Sequence, residues 1–424
     1  LMASGRVYLA TQPVPEQQLT EEARATVRDA LTLVDRAEAI AGLAPSSALW
    51  QDRASYLDKL GEGSAAAEAR SRARSLAPAS ARDHYLLATA YARERRSAEA
   101  VAELKQALRL NPRHYWSLFL LGACLAEQGK QQMAYGAYSG CVHLWPEFAW
   151  GYWNRGRVAQ HLGWNVEALE DYTASLARDP GLLEAYVNRG LLYLEVQQPA
   201  QALADFDAAL ARGRHQAVVH TGRGIALEAL GRHAEADAAF ATGLAGEANA
   251  NLLLGYGFAV AERLPEKAND AFTTVLKQER GNARALYGCA MLQQRKARNS
   301  EGALFFFTLA LQTDPTFVAA RRGRANVLAH RGECEQARQE IDWCVKAEPT
   351  GVTLYAAACV YALIAEKIAE PGSGVLADRA LQLLREALAL GYGRDKAAAD
   401  SDLARLRRLP EFRSTLREDK TFLR

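Results

Sequence analysis

Apolar residues recur along this chain at helical spacing, in units of constant length. Prolines recur every 34 residues in two series, at Pro78, Pro112, Pro146 and Pro180, and at Pro315 and Pro349. Within each unit, two segments carry apolar residues at i, i+3, i+4 and i+7, which places them on one face of a helix. The pattern therefore predicts pairs of amphipathic helices, and the proline ends one pair before the next begins.

The repeat keeps its register through the middle of the chain, with a net loss of one residue. Pro180 and Pro315 are 135 residues apart, one fewer than four periods of 34. The seventh unit is expected to have an altered turn around Leu264-Pro265, and the tenth an inserted surface loop at residues 370–374. Ten units are predicted, beginning near Ser47, Ala81, Tyr115, Ala149, Leu183, Ala217, Ala248, Arg284, Val318 and Val352.

Small and aromatic residues occupy fixed positions when the proline is numbered 32. The unit that begins at Ala149 has Tyr152, Gly156, Ala159, Ala168, Tyr172 and Ser175 at positions 4, 8, 11, 20, 24 and 27. Small residues at positions 8 and 20 allow two helices to approach closely. Glycine can adopt the left-handed backbone that ends a helix, and it recurs at position 15 as Gly61, Gly129, Gly163, Gly231 and Gly332.

This arrangement resembles the tetratricopeptide repeat (TPR), whose period is 34 residues. The resemblance implies an all-α fold, a right-handed TPR superhelix (an α-solenoid) of about ten helix-turn-helix repeats with helical caps. We expect residues 1–46 to hold an N-terminal segment and a capping helix. Residues 47–391 would then form the repeat array, and residues 392–424 a C-terminal capping helix and tail.

Both caps can be placed from the sequence. A helix is predicted from Leu19 to Ala41, opened by Thr20, because acidic residues follow Thr20 in the first turn. A polar, arginine-rich helix is predicted from Asp402 to Leu416. The chain begins at Leu1 and not at Met, so we expect a longer parent protein.

Charge and cysteine content narrow the class of protein. The chain has 51 Lys and Arg against 49 Asp and Glu, a formal net charge of +2. Proteins that bind nucleic acids or membrane surfaces usually carry an excess of basic residues. No apolar run approaches the roughly 18 residues of a membrane span. The six cysteines form no C-x-x-C pair, and no secretory signal precedes them. We therefore expect reduced cysteines, a cytoplasmic location, no nucleic-acid partner and no membrane insertion.

A search for catalytic motifs indicates no enzyme in this chain. Gly222-Arg223-Gly224 is a turn of a repeat helix and not a phosphate-binding loop, and His330-Arg331-Gly332 lacks the catalytic aspartate of protein kinases. The eight histidines are scattered. We therefore expect no catalytic residue, no cofactor and no metal site.

Binding is the remaining function. In TPR proteins, positions 2, 5, 9, 12 and 13 of the first helix face the concave groove, and position 6 lies beside them. Aromatic residues with a neighbouring arginine are typical of binding hot spots, although the same side chains could instead pack on one another. The predicted site for a protein or extended peptide comprises Tyr85, Trp116, Phe119, Trp150, Trp153, Asn154, Arg157, Gln160, His161 and Asn188.

One well-known TPR site is not supported. The carboxylate clamp of heat-shock co-chaperones needs Lys at position 5 and Asn at position 9, followed by Asn at position 6 of the next repeat. Arg322 and Asn326 imitate the first two positions, but the next repeat offers Ala357.

Several strings resemble the long TPR tail of bacterial serine/threonine protein kinases. They include residues 148–156, residues 253–260, residues 355–360 and the ending at residues 400–412. The resemblance implies a regulatory or substrate-recruiting arm whose kinase domain lies outside this chain. The main prediction is a non-catalytic scaffold that binds a peptide or protein partner in the concave groove, and the kinase arm is the alternative. The TPR arm of a glycosyltransferase such as O-GlcNAc transferase, whose groove carries a run of asparagines, is a weaker third option.

Overall fold

The computed structural model describes residues 20–39, 46–213, 216–246, 248–295, 300–369 and 372–417. These residues form α-helices and two short 3-10 helices, without a strand. Two compact units divide the chain, Leu1–Gln198 and Pro199–Arg424. The boundary between the units falls inside the fifth predicted repeat. The all-α prediction is thereby confirmed.

The first unit begins with one helix and continues as antiparallel hairpins. Its helices are α1 (Glu21–Glu38), α2 (Ser47–Leu60), α3 (Gly63–Ser75), α4 (Ala81–Arg93), α5 (Ser97–Leu110), α6 (Tyr115–Glu127), α7 (Gln131–Leu144), α8 (Ala149–His161), α9 (Asn165–Arg178) and α10 (Leu183–Glu195).

The second unit continues the pattern and ends in short helices. It comprises α11 (Pro199–Ala211), α12 (Ala217–Ala229), α13 (His233–Gly243), α14 (Ala250–Val260), α15 (Pro265–Gln278), α16 (Ala283–Arg295), α17 (Ser300–Thr313), α18 (Val318–Arg331), α19 (Cys334–Ala347), α20 (Gly351–Lys367) and α21 (Gly372–Ala389), then 3-10 helices Ser401–Leu403 and Leu406–Arg408, and α22 (Pro410–Arg417).

The predicted repeat starts agree with the first helix of each hairpin. Seven of the ten coincide with the first helical residue, and the other three differ by one or two positions. The turn of the seventh repeat is altered at the expected place, since Ala261 keeps a right-handed backbone (φ −56°, ψ −29°) and Pro265 opens the next helix. Local spacing therefore determines where the helices begin.

The turn inside seven of the hairpins has a left-handed residue at position 15. All five glycines predicted there have positive φ, for example 73° at Gly129 and 87° at Gly332. Arg95 (φ 58°) and Gln197 (φ 59°) occupy the same position of their repeats and adopt the same backbone. Because side chains with a Cβ pay a steric cost in this region, the turn geometry is imposed by the helices that it joins.

An aromatic ring at position 24 fills the space between helices. Phe272 is fully buried, and a Cβ atom added at Gly257 or Gly288 would come within 2.7 Å or 2.6 Å of its ring. Phe307 lies in the same way against Gly323 of the next repeat. Gly224, at position 8 of its repeat, meets the ring of Phe240 at position 24 in the same way, at 2.7 Å from an added Cβ. Glycines of the first helices are thus places where a helix backbone touches a ring.

The tenth repeat differs from its prediction. Residues 370 and 371 lie outside the described residues, but Gly372–Gly374 belong to α21 and not to a surface loop. The inserted residues lengthen both helices, since α20 has 17 residues and α21 has 18. Ser373 is buried, and its hydroxyl donates to the Ala365 carbonyl at 2.7 Å, which holds the start of α21 against the end of α20.

The prediction of one polar helix from Asp402 to Leu416 is wrong. Leu409 is extended (φ −86°, ψ 134°) because a residue before proline avoids the helical region, and Pro410 begins α22. The segment is also less polar than expected, since Leu403, Leu406 and Phe412 are buried in one cluster with α20 and α21. The chain end is therefore packed as short helices against the last repeat.

At the other end, α1 begins at the expected cap. The Thr20 hydroxyl accepts a hydrogen bond from the Ala23 amide at 3.2 Å. Val27, Ala30 and Val34 on one face of α1 are buried with Tyr56 of α2. The outer ends of the predicted helix, Leu19 and residues 40–41, lie outside the described residues.

The cysteines fit the packing prediction. All six are free thiols, and five of them are buried. Burial raises the pKa of Cys141 to about 12 and that of Cys289 to about 11. These thiols are therefore poor nucleophiles and act as small apolar residues.

Candidate functional site

The A-helix surface is formed by positions 2, 5, 6, 9, 12 and 13 of the first helix in each hairpin. In the first unit it carries the predicted residues on α4, α6, α8 and α10. Of the aromatic residues, Trp116 is 40% exposed, whereas Tyr85, Phe119, Trp150 and Trp153 are half-buried.

Five aromatic rings cluster where α6 begins. The ring centroid of Tyr115 lies 5.1 Å from that of Trp116, 5.6 Å from that of Trp145 and 5.8 Å from that of Phe148. Trp145 and Phe148 stack at 4.6 Å. Phe119 lies beside Trp116 at 5.8 Å. Trp116 is therefore held in place by neighbouring rings and still presents part of its surface to solvent.

The sequence reasoning missed Trp145 and Phe148. They occupy positions 31 and 34, in the connection between two repeats, whereas the positions expected to face the groove all lie on the first helices. Trp145 is nevertheless 46% exposed. The signal was available, because a tryptophan directly before Pro146 has no packing role in the repeat pattern.

A second aromatic group lies on α8. The Trp150 and Trp153 rings meet edge to face, with centroids 5.2 Å apart. The exposed Arg157 guanidinium lies over the Trp153 ring, 4.9 Å from its centroid. The Trp153 indole N–H is buried and has no acceptor in the part of the chain that the structure describes. Such an N–H is costly by about 1–3 kcal/mol.

The two predicted asparagines are engaged within the fold. Asn154 is only 7% exposed, and its Nδ2 donates to the Trp150 carbonyl one helical turn earlier at 2.9 Å. Asn188 is hydrogen-bonded to the Tyr172 side chain, whose hydroxyl also donates to Gln160 Oε1 at 3.0 Å. Burial raises the pKa of Tyr172, so this hydroxyl stays protonated.

The remaining predicted residues lie at the edges. Tyr85 on α4 faces His114 with ring centroids 5.3 Å apart. His161, at the end of α8, is exposed. The structure thus brings together Trp116 with Phe119, and Trp150 with Trp153 and Arg157, and it places Asn154 in the interior.

An ion pair anchors α8 behind this surface. Arg155 Nε and Nη2 donate to the two carboxylate oxygens of buried Asp171 at 2.9 and 2.6 Å. Burial raises the pKa of Asp171, and Arg155 acts against that rise. The Arg155 guanidinium also lies 5.6 Å from the Tyr135 ring centroid and 5.7 Å from that of Tyr152.

In the second unit, a cavity of about 690 Å³ opens on the A-helix surface of α12, α14 and α16. Ile225, Phe258 and Met291 contribute apolar lining. Two ion pairs flank it, Arg263 with Glu228 at 2.7 Å and Arg295 with Glu262 at 2.8 Å. The charges therefore balance around an apolar interior.

One group of potential metal ligands occurs among the described residues. The ligand atoms of Cys359, Asp400 and Asp402 lie within 4.8 Å of one another. Both carboxylates are already hydrogen-bonded, Asp400 by the Tyr355 hydroxyl and Asp402 by the Asn326 amide, so the group is explained without an ion.

In the part of the chain that the structure describes, no helix has both the length and the apolar character that a membrane span requires.

Comparison with known proteins supports the repeat assignment. A tetratricopeptide repeat family profile matches residues 84–114, which lie in α4, α5 and the turn after them. The match, the 34-residue spacing of the hairpins and the recurring position-15 turn make this chain a tetratricopeptide repeat array. No curated protein sequence matches the chain.

Three solved structures are similar to this chain at low identity. The APC/C hetero-tetramer Cut9-Hcn1 is 16% identical over 85% of this chain and 72% of that chain, with a TM-score of 0.46. A tetratricopeptide repeat protein from Parabacteroides merdae is 17% identical over 71% of this chain and 98% of that chain, with a TM-score of 0.42. The pilF protein of Pseudomonas aeruginosa is 21% identical over 48% of this chain and 95% of that chain, with a TM-score of 0.41.

Proposed function

We propose that this chain is a non-catalytic scaffold that binds an extended peptide or partner segment on the A-helix surface of α4, α6 and α8. TPR arrays are in general modules of protein–protein interaction. The observation that carries the proposal is the group of Trp150, Trp153 and Arg157, which combines two aromatic rings, a guanidinium and an indole N–H without an acceptor.

The chemistry of this group favours a peptide with apolar side chains. Binding gains free energy when apolar side chains of a peptide cover rings that are partly exposed, at about 25 cal/mol per Å² of apolar surface buried. A small rotation of Trp153 would allow its indole N–H to donate to a peptide carbonyl and so remove the cost of the unmade hydrogen bond. Trp116 and Trp145 extend the aromatic surface towards α6.

Peptides selected from a random display library on the full chain test this proposal. We expect the selected peptides to bind Trp153→Ala and Trp116→Ala at least tenfold more weakly than the wild type, because aromatic hot spots contribute 2 kcal/mol or more. Trp343→Ala is the matched control, since Trp343 is 37% exposed and also carries an arginine over its ring but lies on α19. Unchanged affinity in the two first variants, with helical content preserved, would contradict the proposal.

The kinase association is a second proposal that rests on the sequence resemblance. We propose that the scaffold serves a bacterial serine/threonine kinase in the cytoplasm, recruiting substrates or regulating the catalytic domain. The coding sequence upstream of Leu1 tests it. A glycine-rich loop, a catalytic-loop aspartate and a D-F-G motif are expected there, and their absence would remove the proposal without touching the scaffold function.

A further inference from the structure

The C-terminal segment, residues 390–417, lies against α18 and α20, the first helices of the last two repeats. Asp402 Oδ2 accepts a hydrogen bond from Asn326 Nδ2 of α18 at 2.8 Å, although the two residues are 76 positions apart. Asp402 Oδ1 lies 3.1 Å from Nε2 of His330, one turn further along α18. A carboxylate of the chain itself therefore lies on the A-helix surface.

Asn326 and His330 occupy positions 9 and 13 of the ninth repeat, two of the positions expected to face a ligand. Gln294 of α16 donates to Asn326 Oδ1 at 2.9 Å, which leaves the Asn326 NH₂ group to face Asp402. An ionised carboxylate only accepts hydrogen bonds, so this orientation suits a carboxylate and no donor. The neighbouring repeat thus positions Asn326 for an acidic side chain.

A second carboxylate of the same segment, that of Asp400, contacts α20. The Tyr355 hydroxyl donates to Asp400 Oδ2 at 2.8 Å, and the Cys359 thiol lies 3.8 Å from the same oxygen. Leu403, one residue after Asp402, is completely buried. Between the two carboxylates, Ser401 is exposed. The repeats therefore contact two acidic side chains and one leucine, in the order Asp-x-Asp-Leu.

These contacts exceed what a cap requires. Leu403, Leu406 and Phe412 already cover the apolar end of α20 and α21. The Asp402 carboxylate contacts Asn326 and His330 of the A-helix surface, and the Asp400 carboxylate accepts a hydrogen bond from the Tyr355 hydroxyl of α20. Hydrogen bonds to ionised groups are stronger than those between neutral groups. Asp400 also has a local role, because its Oδ1 accepts a hydrogen bond from the Asp402 amide at 3.0 Å and so caps the first 3-10 helix. The contact of Asp402 with Asn326 is the one that closing the core does not require.

We propose that the face of α18 and α20 formed by Asn326, His330 and Tyr355 is a binding site for an acidic segment of the form Asp-x-Asp-Leu, occupied in this chain by its own residues 400–403. The inference deepens the proposed function, because it takes the same class of surface as a ligand site and adds the chemistry of the ligand. A partner that carries such a segment has to displace the C-terminal segment.

The intramolecular ligand has a strong advantage over a free partner. Only ten residues connect α21 to Asp400, and a short connection gives an effective concentration on the order of millimolar. A partner segment of equal intrinsic affinity therefore binds only when the C-terminal segment is weakened or when the partner is itself abundant. The segment thus acts as a competitor that regulates access to the site.

A labelled peptide with the sequence of residues 397–409 tests the inference on the full chain. We expect Asp402→Ala to bind this peptide at least tenfold more tightly than the wild type, because the internal competitor is weakened while the surface is intact. Adding Asn326→Ala to Asp402→Ala should abolish the gain, because the receptor side is then removed. Asp395→Ala, which removes an exposed carboxylate of the same segment, is the control and should bind like the wild type.

Two results would overturn the inference. One is equal affinity of the wild type and Asp402→Ala for the peptide. The other is a gain that persists in the double variant. If Asp402→Ala does not retain wild-type helical content, hydrogen exchange of the wild type decides instead: excess unlabelled peptide should speed exchange at residues 400–409, and unchanged exchange would overturn the proposal. Neither assay involves the tryptophans of the first unit, so failure here is distinct from failure of the peptide-binding proposal.

Discussion

Gly288 of α16 lies so close to Phe272 of α15 that a Cβ atom at this glycine would come within 2.6 Å of the phenyl ring. The ring is fully buried and also faces Gly257 of its own repeat. A glycine in the interior of a helix costs roughly 1 kcal/mol relative to alanine. The close approach of backbone and ring is what compensates for that cost.

We therefore expect Gly288→Ala to lower the free energy of unfolding of the second unit by about 1–3 kcal/mol, the usual effect of overpacking a core. Gly136 of α7 is the matched control, because a Cβ atom there would meet nothing within 4 Å. Gly136→Ala should stabilise the first unit by up to about 1 kcal/mol through helix propensity. Urea unfolding followed by circular dichroism measures both. A stabilising Gly288→Ala would contradict the packing argument.

The left-handed turn of the second repeat offers a stabilising substitution. Arg95 has φ 58° and is exposed. Arg95→Gly should raise stability by about 0.5–1 kcal/mol, because relief of the left-handed strain exceeds the added entropy of the unfolded chain. Thermal unfolding of the full chain measures the change. Gly129→Ala, at the same position of the next repeat with φ 73°, should change stability in the opposite direction.

Loss of Arg155 should leave a buried carboxylate unpaired. The Asp171 side chain is 5% exposed in its ion pair with Arg155, and Arg155→Met keeps the apolar stem while removing the guanidinium. We expect a loss of about 3 kcal/mol, because the Asp171 carboxylate stays buried without a countercharge.

Arg223→Met is the control for that substitution. Arg223 holds the same repeat position, but the side chain of its partner Asp207 is 50% exposed. Exposed pairs contribute about 0–1 kcal/mol, so denaturant midpoints should move little. Equal losses in the two variants would show that the ion pair of Asp171 is not buried in solution.

The contact of Asp402 predicts a pH dependence. Burial acts to raise the pKa of Asp402, but hydrogen bonds from His330 and Asn326 outweigh it and leave the pKa below its ordinary value. A carboxyl whose pKa is lowered by folding stabilises the fold above its unfolded pKa, near 3.9. That contribution is lost as the pH falls through the lowered value.

The difference in Tm between the wild type and Asp402→Asn measures this contribution. It should be largest near neutral pH and shrink below about pH 4. Asp395→Asn, with its exposed carboxylate, should show a small difference that changes little over the same range. A difference between the wild type and Asp402→Asn that grows on acidification would have the wrong sign.

Part of the candidate site could be predicted from the sequence. Trp116, Phe119, Trp150 and Trp153 were found because repeat position alone places them on the first helices. Asn154 was also placed there, but the structure buries its side chain, whose Nδ2 donates to the Trp150 carbonyl. A repeat position specifies the face of a helix, whereas burial depends on the size of the neighbours on the adjoining helices.

The repeat period, the helix starts and the left-handed turns were determined by the sequence alone. Their causes are local, since helical spacing, small residues and glycine act within one 34-residue unit. The approach of Asp402 to Asn326 was decided only by the tertiary structure. The path of the segment after α21 depends on how Leu403, Leu406 and Phe412 fill the end of the last repeat, and a contact across 76 residues leaves no periodic signal in the chain.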